Sequence, residues 1–420
     1  MSKINHDAKL GRLSHCQITG SRNLFEAIDL GHQPPPSALL TDATLREPET
    51  HYPLRLMICP ESGLGQLDYV VDGKILFPTE YTYRPGVTPP LRDHLKALSN
   101  EIVTNLNISA KSLCVDIGSN DGTLPSFFKA NGMRVLGVEP TNMAKVASKE
   151  LGIKTIQKFF TEVVAKDIVK KHGRAKVVTF TNVFAHMATL GEVMRGVSRL
   201  LDKGGAVVTE SQYLLDIFER YQFDQIYHDH VRIYSLKSLV KLFPYYGMEV
   251  FDAKRTTTRE GSIRVYAGWK GQHPISPEVK RLVQAEEGVG LFKPAAWAKF
   301  RAGVQKSRDE VFDLACKAKK EGLRFVADSS PTRGVVLVNY YGLDKRLLPY
   351  NADLPGTHKV GKYMPGTHTP IVSNEILLKE KPEYILILAW HYADFIIKNW
   401  HAKGLKSKFI IPLPEFKIIE

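Results

Sequence analysis

Short apolar runs alternate with amphipathic stretches through the middle of the chain. The runs lie at residues 113–117, 134–138, 176–180 and 206–209. Their length and aliphatic composition predict strands, and the stretches between them show helical periodicity. Gly132, Gly152 and Gly173 stand where a helix ends on a glycine. Regular alternation of strand and helix predicts a doubly wound parallel sheet over residues 89–275.

The segments on either side of this region differ from it. Residues 1–88 are rich in turn-forming residues and predict a small irregular module. Residues 276–420 begin with a long helical pattern and then return to strand–helix alternation. Their predicted elements are a helix over 295–320, strands at 324–327, 384–388 and 409–412, and a turn through 329–334 that precedes a helix. We therefore predict an α/β protein of three units, with a Rossmann-like domain at 89–275 and a second α/β Rossmann-like domain at 276–420.

Composition and charge favour a cytoplasmic enzyme. The 420 residues carry a formal net charge of +13, but the lysines and arginines are spread along the chain. Proteins that bind nucleic acid usually concentrate basic residues in one patch or stripe, so we expect no nucleic-acid partner. The apolar runs are too short to span a bilayer, the first residues lack the apolar core of a signal peptide, and four cysteines are too few for a disulfide framework. We expect no membrane partner, and the sequence does not indicate an oligomeric state.

A loop with two glycines follows the first strand of the central unit. Asp116 is expected to end that strand, and Gly118, Asn120 and Gly122 form the turn that leads into a helix. Glycine lets the backbone turn sharply and approach a ligand, and the helix N-terminus presents free N–H groups. Glu139 ends the next strand, about 20 residues further on, where a carboxylate can accept hydrogen bonds from ribose hydroxyls.

The spacing of this loop is compatible with NAD and with S-adenosylmethionine. Thr123 stands where the dinucleotide fingerprint has its third glycine. A dinucleotide needs close approach of the backbone to its pyrophosphate, whereas S-adenosylmethionine has no phosphate. The departure therefore favours S-adenosylmethionine as the cofactor.

Two histidines bracket a carboxylate in residues 227–230, which read Tyr-His-Asp-His. A histidine can take up a proton at neutral pH, and a neighbouring carboxylate can orient it. The same spacing of two histidines occurs in metal pairs and in hydrogen-bonded structural clusters. The pattern alone therefore leaves catalytic, metal-binding and structural roles open.

Short stretches along nearly the whole chain match, in order, the motifs of one family. They lie at residues 30–34, 52–54, 116–123, 139–140, 182–186, 227–230, 261–264 and 359–366. Together they resemble the deoxysugar C-methyltransferase family, which uses S-adenosylmethionine to methylate nucleotide-linked 4-keto-6-deoxysugars. The resemblance implies a methyltransferase acting on such a keto-sugar, with C-3 as the expected position and C-5 as the alternative.

The resemblance also implies roles for individual side chains. His230 is expected to remove the proton beside the ketone, while His186, Tyr81 and Tyr227 surround the developing enolate, with Asp229 beside the base. Further site residues are Asn182 for the cofactor and Tyr83, Arg264, Arg333, Lys359 and Lys362 for the substrate. A turn at 331–334 and the two lysines are candidates for phosphate binding, although lysines on a solvated face give the same pattern.

The sequence departs from the family pattern in its N-terminal module. The family holds zinc there through two Cys-x-x-Cys pairs, but here the pairs run from Cys16 to Thr19 and from Cys59 to Ser62. Hydroxyls are poor zinc ligands, so we expect no bound metal. Cys16 and Cys59 are then remnants of a zinc site that pack as small core residues.

Two further departures from the family pattern leave the identity of the sugar undetermined. The family has glutamate where Asp229 stands, and its His-Gly-Gly-Ser motif is replaced at residues 259–262. Two other functions fit parts of the pattern: an NAD-dependent nucleotide-sugar dehydrogenase or epimerase, and a non-catalytic binder of nucleic acid. The altered third glycine argues against the first, and the retained His230, Asp229 and His186 argue against the second.

Overall fold

The computed structural model describes residues 4–77, 81 and 83–420, with the side chain of Arg259 outside the description. The first elements are β1 (Gly11–Arg12), β2 (Phe25–Gln33), β3 (Tyr52–Ile58), β4 (Gly65–Leu67), β5 (Tyr69–Val70) and α1 (Gly73–Leu76). The middle elements are α2 (Pro89–Asn105), β6 (Leu113–Ile117), α3 (Thr123–Ala130), β7 (Arg134–Val138), α4 (Met143–Leu151), β8 (Thr155–Ile156), α5 (Glu162–His172), β9 (Ala175–Thr181), α6 (Leu190–Leu200), β10 (Leu201–Gln212), α7 (Leu214–Glu219), β11 (Arg232–Ile233), α8 (Leu236–Leu242), β12 (Met248–Thr256) and β13 (Ser262–Trp269). The last elements are α9 (Pro277–Gly288), α10 (Pro294–Lys320), β14 (Phe325–Asp328), α11 (Thr332–Tyr341), β15 (Asn351–Asp353), β16 (Ile371–Ser373), α12 (Glu375–Glu380), β17 (Tyr384–Ile387), α13 (Ala393–Ala402), β18 (Lys408–Ile411) and β19 (Lys417–Ile419).

The central sheet has seven strands in the order β12-β13-β10-β9-β6-β7-β8. The five strands from β10 to β8 run parallel, β13 pairs antiparallel with β10, and β12 pairs antiparallel with β13. All five residues of β6 are buried, as expected for a strand with helices on both faces of its sheet. The predicted Rossmann-like central domain is confirmed. The chain crosses from one side of β6 to the other after β8, which creates the crevice where such sheets bind ligands.

The C-terminal sheet has six strands in the order β16-β15-β14-β17-β18-β19, parallel except for β19. This arrangement confirms the predicted second α/β Rossmann-like domain. The turn predicted through 329–334 is shorter in the structure, because α11 already begins at Thr332. Pro331 caps the helix, where the missing N–H of proline costs no intrahelical hydrogen bond. Arg333 and Gly334 therefore belong to the first helical turn.

The N-terminal module is more regular than its turn-rich sequence predicted. β2, β3 and β4 form an antiparallel sheet, and β11 from the middle of the chain adds a fourth strand beside β4. Because β11 directly follows residues 227–230, this pairing fixes the His motif against the N-terminal module. In the part of the chain that is described, no helix is long and apolar enough to cross a membrane.

One apolar core runs through all three units. Its buried members include Leu56 in β3, Phe180 in β9 and Leu337 in α11. The 27-residue helix α10 adds a polar tie, since Arg301 donates to the carbonyl oxygens of Glu26 and Ala27 in β2. The continuous core holds the two Rossmann-like domains and the N-terminal module in one arrangement around the site described next.

Candidate active site

A cavity of about 1000 Å³ lies where the three units meet. Its wall includes residues that follow the carboxyl ends of β6, β7 and β9 in the central sheet. It also includes residues that follow β14 and β15 in the C-terminal sheet, and residues between Val71 and Leu95. Open α/β sheets bind ligands outside the carboxyl ends of their strands, and here two such sheets contribute to one cavity. We take this cavity as the candidate active site.

Most of the site residues predicted from the sequence lie on this wall. They are Tyr81, Tyr83, Gly118, Asn120, Glu139, Asn182, His186, Tyr227, Asp229, His230 and Lys359. Among the described residues, the wall does not include Asp116, Gly122, Arg264, Arg333 and Lys362. The first group can contact a ligand directly, whereas the second group lies in the surrounding structure.

The loop after β6 has residues with positive φ, a backbone conformation that glycine and asparagine adopt more readily than other residues. Gly118 has φ of +70°, and a Cβ atom there would lie 2.3 Å from Cγ2 of Val183. Asn120 also has positive φ, at +46°, and its backbone N–H donates to Oε2 of Glu139 over 3.1 Å. Close packing of this loop against residues 182–183 brings its main chain to the cavity wall.

Several buried oxygens on the wall have unused hydrogen-bonding capacity. Glu139 accepts from the N–H of Asn120 and from the N–H and hydroxyl of Thr141, which leaves one of its acceptor sites. Oδ1 of Asn182 and Oγ of Ser119 are buried and have no hydrogen-bond partner among the described residues. Buried polar atoms are normally paired, so these oxygens indicate a polar ligand at this end of the cavity.

Asp116 and Gly122 support the loop from behind. The carboxylate of Asp116 accepts a hydrogen bond of 2.6 Å from the hydroxyl of Thr179, and burial raises its pKa to about 7. A Cβ atom on Gly122 would lie 2.8 Å from Cβ of Ala147, so glycine allows α3 to pack on α4. Direct contact of either residue with a cofactor stays a prediction.

His230 is buried at the cavity wall, and the structure gives a partner for each ring nitrogen. Nδ1 lies 2.7 Å from the carbonyl oxygen of Gln225, and Nε2 lies 2.8 Å from the side-chain nitrogen of Gln212. Only 2% of the residue is exposed. The imidazole is therefore held in one orientation by neighbours on two different segments.

Aromatic rings continue from His230 along the wall. The ring of Tyr227 lies 4.0 Å from that of His230 between centroids, and the ring of His186 lies 5.1 Å away. Phe77 stacks on His186 at 5.4 Å and is followed by Tyr81 at 6.2 Å. The sequence separates these residues by up to 153 positions, and the fold brings them together at one surface of the cavity.

Asp229 and His228 lie in different environments although they are neighbours in sequence. Asp229 is on the cavity wall, and its Oδ1 has no hydrogen-bond partner among the described residues. Burial raises the pKa of this carboxyl to about 7, so it holds a proton at higher pH than an ordinary aspartate. His228 instead packs against Tyr52, and burial lowers its pKa to about 4. His228 therefore acts as a neutral packing residue.

Arg264 belongs to a buried ionic network in the central sheet. Its Nε donates to Glu210 over 2.7 Å, and its Nη1 lies 2.7 Å from Oε1 of Glu101. His94 hydrogen-bonds to the other oxygen of Glu210. The guanidinium is thus engaged within the sheet, and contact of Arg264 with a substrate stays a prediction.

Arg333 joins the C-terminal domain to the segment that precedes the His motif. Its guanidinium makes two hydrogen bonds to Asp224, of 2.7 and 2.9 Å, and lies 4.6 Å from the ring centroid of Trp390. Nε1 of Trp390 also donates to Asp224 over 2.8 Å. We call these three residues the Asp224 clamp. The clamp engages Nε and Nη2 of Arg333, and contact of Arg333 with a phosphate stays a prediction.

Lys359 is the predicted substrate-binding lysine that reaches the cavity. Its ammonium group donates to the carbonyl oxygen of Ser330 and lies 3.8 Å from Oδ2 of Asp353. Burial lowers the pKa of this lysine. Ser330 and Thr332, at the start of α11, lie on the same wall, whereas Lys362 is half-buried away from it.

The remnants of the zinc pairs converge in the N-terminal module. Sγ of Cys16 lies 3.2 Å from the hydroxyl of Ser62, and the hydroxyl of Thr19 lies 3.7 Å from Sγ of Cys59. These two thiols and two hydroxyls hydrogen-bond to one another, and two thiolates alone half fill a tetrahedral zinc shell. Among the described residues, no group of three or more His, Cys, Asp or Glu side chains is arranged to hold a metal ion. The residues present here do not fit a zinc ion.

The pattern along the chain contained no signal for Gln212, which contacts the candidate base, or for Trp390, which belongs to the Asp224 clamp. Gln212 is the last residue of a strand and Trp390 lies in the C-terminal domain, both far from the His motif along the chain. Asp224 stands only three positions before Tyr227, and its presence in the motif was a usable signal. Long-range partners of this kind become visible only when the fold is known.

Consecutive parts of the chain match three protein families. Residues 16–77 match the family described as "Putative zinc binding domain", and residues 91–253 match the one described as "Methyltransferase domain". Residues 257–414 match the "C-methyltransferase C-terminal domain". Together the three matches span the N-terminal module and both Rossmann-like domains.

The chain is also similar to individual proteins, to one of them over most of its length. It is 31% identical to C-methyltransferase NovU from Streptomyces niveus over 411 residues, which are 97% of each chain. Among solved structures, it resembles an S-adenosylmethionine-dependent methyltransferase from Anabaena variabilis, with 14% identity, a TM-score of 0.35 and coverage of 43% of this chain and 86% of the other. The magnesium protoporphyrin IX methyltransferase of Synechocystis with bound S-adenosylhomocysteine is 14% identical, with a TM-score of 0.33 and coverage of 43% and 83%. On the family matches and the full-length relative, the chain belongs to the S-adenosylmethionine-dependent C-methyltransferase family.

Proposed function

We propose that this enzyme transfers a methyl group from S-adenosylmethionine to C-3 of a nucleotide-linked 4-keto-6-deoxysugar. One observation carries the proposal: two Rossmann-like sheets open on a single cavity, and His230, Tyr227 and His186 lie on its wall. A cofactor on one side and a nucleotide-sugar on the other would then meet at a histidine. Holding two reactants in one cleft is itself a large source of rate enhancement.

The residues after β6, β7 and β9 fit S-adenosylmethionine. The turn at Gly118 presents main chain to the cavity, and Glu139 has an acceptor site for a ribose hydroxyl. Oδ1 of Asn182 and Oγ of Ser119 supply further buried oxygens for the polar groups of the cofactor. We propose that these four residues hold it. The bound cofactor supplies an electrophilic methyl group on a sulfonium.

The residues of the His motif fit the removal of a proton beside a ketone. In our proposal His230 takes that proton, the C–H bond breaks, and the electron pair is delocalised into an enolate. Hydrogen bonds from Tyr227, His186 and Tyr81 would stabilise the developing oxyanion at the cavity wall. Burial raises the pKa of Asp229, so this carboxyl holds a proton at higher pH than an ordinary aspartate and in that form can donate to a sugar oxygen.

The start of α11 and Lys359 fit the phosphates of a nucleotide. Ser330 and Thr332 bring the free N–H groups of a helix N-terminus to the cavity, and these groups favour anions. Lys359 adds a positive charge on the same wall. Tyr83 is 42% exposed at the cavity and can cover the nucleotide. We place the reaction in the cytoplasm, where the free thiols of Cys16 and Cys59 remain reduced.

The direct test uses isotopically labelled S-adenosylmethionine with a panel of dTDP-, GDP- and CDP-linked 4-keto-6-deoxysugars. Mass spectrometry should find one labelled methyl group on one of these sugars, and NMR of that product should place it on C-3. Label on C-5 would correct the position, and label on an oxygen would contradict C-methylation of the sugar. A panel that stays unlabelled while the protein binds S-adenosylhomocysteine would reject this substrate class.

A further inference from the structure

The partners of His230 determine which of its ring nitrogens carries a proton. A carbonyl oxygen only accepts hydrogen bonds, so Nδ1, at 2.7 Å from the carbonyl of Gln225, must carry the hydrogen. An amide nitrogen only donates, so Nε2, at 2.8 Å from the side-chain nitrogen of Gln212, must accept. The ring is then neutral, with its lone pair on Nε2.

Gln212 is well placed to impose this state. It is the last residue of β10 and pairs with Ser262 of β13, so its backbone is fixed by the sheet. Only 3% of the residue is exposed, and it is not among the described residues of the cavity wall. A side chain in this position reaches a substrate only through His230.

We propose that Gln212 is a positioning residue that keeps His230 neutral, with the lone pair of Nε2 held by its amide until a substrate is bound. The inference rests on the proposed function, in which His230 is the base. Gln225 fixes the hydrogen on Nδ1 through its main chain, and Gln212 selects the unprotonated form of Nε2 through its side chain. The two contacts together prepare the imidazole before a substrate arrives.

The same contact also accounts for the charged state of the base. Because Nε2 has a single lone pair, the amide of Gln212 must turn away from it before Nε2 can take the sugar proton. When the sugar C–H bond then breaks, its proton forms an N–H bond at Nε2 and the electron pair stays in the enolate. Two donors would then face each other unless the amide of Gln212 turns by half a rotation and presents its oxygen. The glutamine can serve both states because it carries a donor and an acceptor on one side chain, which leucine and glutamate do not.

Two substitutions separate this role from simple packing. Gln212→Glu has nearly the same shape, but an ionised carboxylate only accepts and therefore requires a hydrogen on Nε2. The ring would become a doubly protonated cation that cannot take the sugar proton. Gln212→Leu fills similar space and neither donates nor accepts. We expect the pH at which the base becomes active to rise from wild type to Gln212→Leu, and further to Gln212→Glu.

The first measurement is ring-nitrogen NMR of the full-length protein labelled with ¹⁵N-histidine, with His230 assigned by the signal lost in His230→Asn. At pH 7 the wild type should show a protonated Nδ1 and an unprotonated Nε2, and Gln212→Glu should show both nitrogens protonated. The result needs no sugar substrate. A wild-type ring with hydrogen on Nε2 alone, or a Gln212→Glu ring identical to wild type, would overturn the inference.

The second measurement is the pH dependence of turnover on whichever keto-sugar the panel identifies. Gln212→Glu should lose about tenfold in turnover for each pH unit by which its active range moves up, and should recover as the pH is raised. The titratable groups described beside His230, which are Tyr227, His186 and Asp229, are unchanged in these variants. A loss of activity that is equal at every pH would indicate packing alone and would contradict the role.

Gln222→Glu is the matched control. Gln222 is also a buried glutamine close to the His motif, but its amide donates to the carbonyl oxygen of Glu260 instead of a histidine. It should alter stability without moving the pH profile or the histidine signals. Failure of the proposed function looks different, because the NMR result would then stand while His230→Asn methylated a substrate normally.

Discussion

The glycine turn of the cofactor site offers a sharp test of the geometry, through Gly118→Ala. The added methyl group would sit 2.3 Å from Cγ2 and 2.7 Å from Cγ1 of Val183. Carbon atoms in ordinary contact are about 3.5–4.0 Å apart, so Val183 would have to retreat by more than about 1 Å. Both residues lie on the cavity wall, and the displacement would therefore distort the proposed cofactor site.

Two costs add at this position. Alanine at φ of +70° costs roughly 1–2 kcal/mol in the left-handed region. Forcing an extra methyl group into a packed site costs typically about 1–3 kcal/mol more. If the steric cost of the extra methyl group must be met each time the ligand binds, the dissociation constant for S-adenosylhomocysteine should rise roughly 5- to 150-fold. Calorimetric titration of the folded protein measures this change directly.

Gly152→Ala is the control for backbone strain alone. Gly152 has φ of +61°, also in the left-handed region, and a Cβ atom there would meet only the end of Lys129, at 3.7 Å. This variant should lose stability by roughly 1–2 kcal/mol and keep wild-type affinity for S-adenosylhomocysteine. The double variant Gly118→Ala/Val183→Ala removes the clash, and with Val183→Ala as reference it should recover most of the lost affinity. Wild-type affinity in Gly118→Ala, or an equal loss in Gly152→Ala, would refute the reasoning.

Three further predictions follow from other parts of the structure. Purified protein should contain far less than one zinc per chain by elemental analysis, and Thr19→Cys/Ser62→Cys should bind about one, because it restores four converging thiolates; a stoichiometric metal in the wild type would contradict this. Arg333→Met should lower the free energy of unfolding in urea by about 3–5 kcal/mol, because it leaves the buried carboxylate of Asp224 without its cation. A loss below about 1 kcal/mol would mean that the Asp224 clamp does not stabilise the contact between the C-terminal domain and the segment before the His motif. Burial raises the pKa of Asp229 from 3.8 to about 7, so the stability that its protonated carboxyl contributes is fully present below pH 4 and is lost as the pH rises towards 7. The free energy of unfolding should therefore fall less between pH 5 and pH 8 in Asp229→Asn than in wild type. An equal fall in the two proteins would exclude this effect.

Local patterns in the sequence were sufficient for the two Rossmann-like domains. The strand predicted at 113–117 is β6 with the same bounds, and the long helix predicted at 295–320 is α10 at Pro294–Lys320. Buried parallel strands give unbroken apolar runs, and long helices give sustained periodicity, so both features can be recognised within one segment. The predicted glycine at the end of α4 also occurs, with Gly152 in the left-handed conformation.

The N-terminal module was harder to predict because its order comes from distant partners. β2 and β3 are joined by a long irregular connection, and the fourth strand of their sheet, β11, comes from the middle of the chain. Short antiparallel strands with many turns carry little periodic signal of their own. The sequence therefore indicated the turns of this module and not the sheet that they connect.

The residues of the candidate site also fall into two groups, those with a local sequence signal and those whose partners are distant in sequence. Residues that face the cavity, such as Glu139 and His230, were predicted from local motifs and the family resemblance. Arg333 belongs to the second group. A basic residue at the start of a helix has the local pattern of a phosphate ligand, whatever its partner in the fold. The structure pairs it with Asp224, more than 100 positions away in sequence, and its contact with a phosphate stays a prediction. A charged residue in a loop gives no information on whether its partner is a ligand or another part of the protein.

The most direct test of the central claim is exchange of the sugar hydrogen beside the ketone with solvent deuterium. S-adenosylhomocysteine takes the place of the methyl donor in this experiment, so proton removal is observed without methyl transfer. Wild-type enzyme in deuterated water should incorporate deuterium at C-3, and His230→Ala should do so roughly 10²–10⁴-fold more slowly, while His228→Ala stays near wild type. Incorporation in His230→Ala at the wild-type rate would show that His230 is not the base.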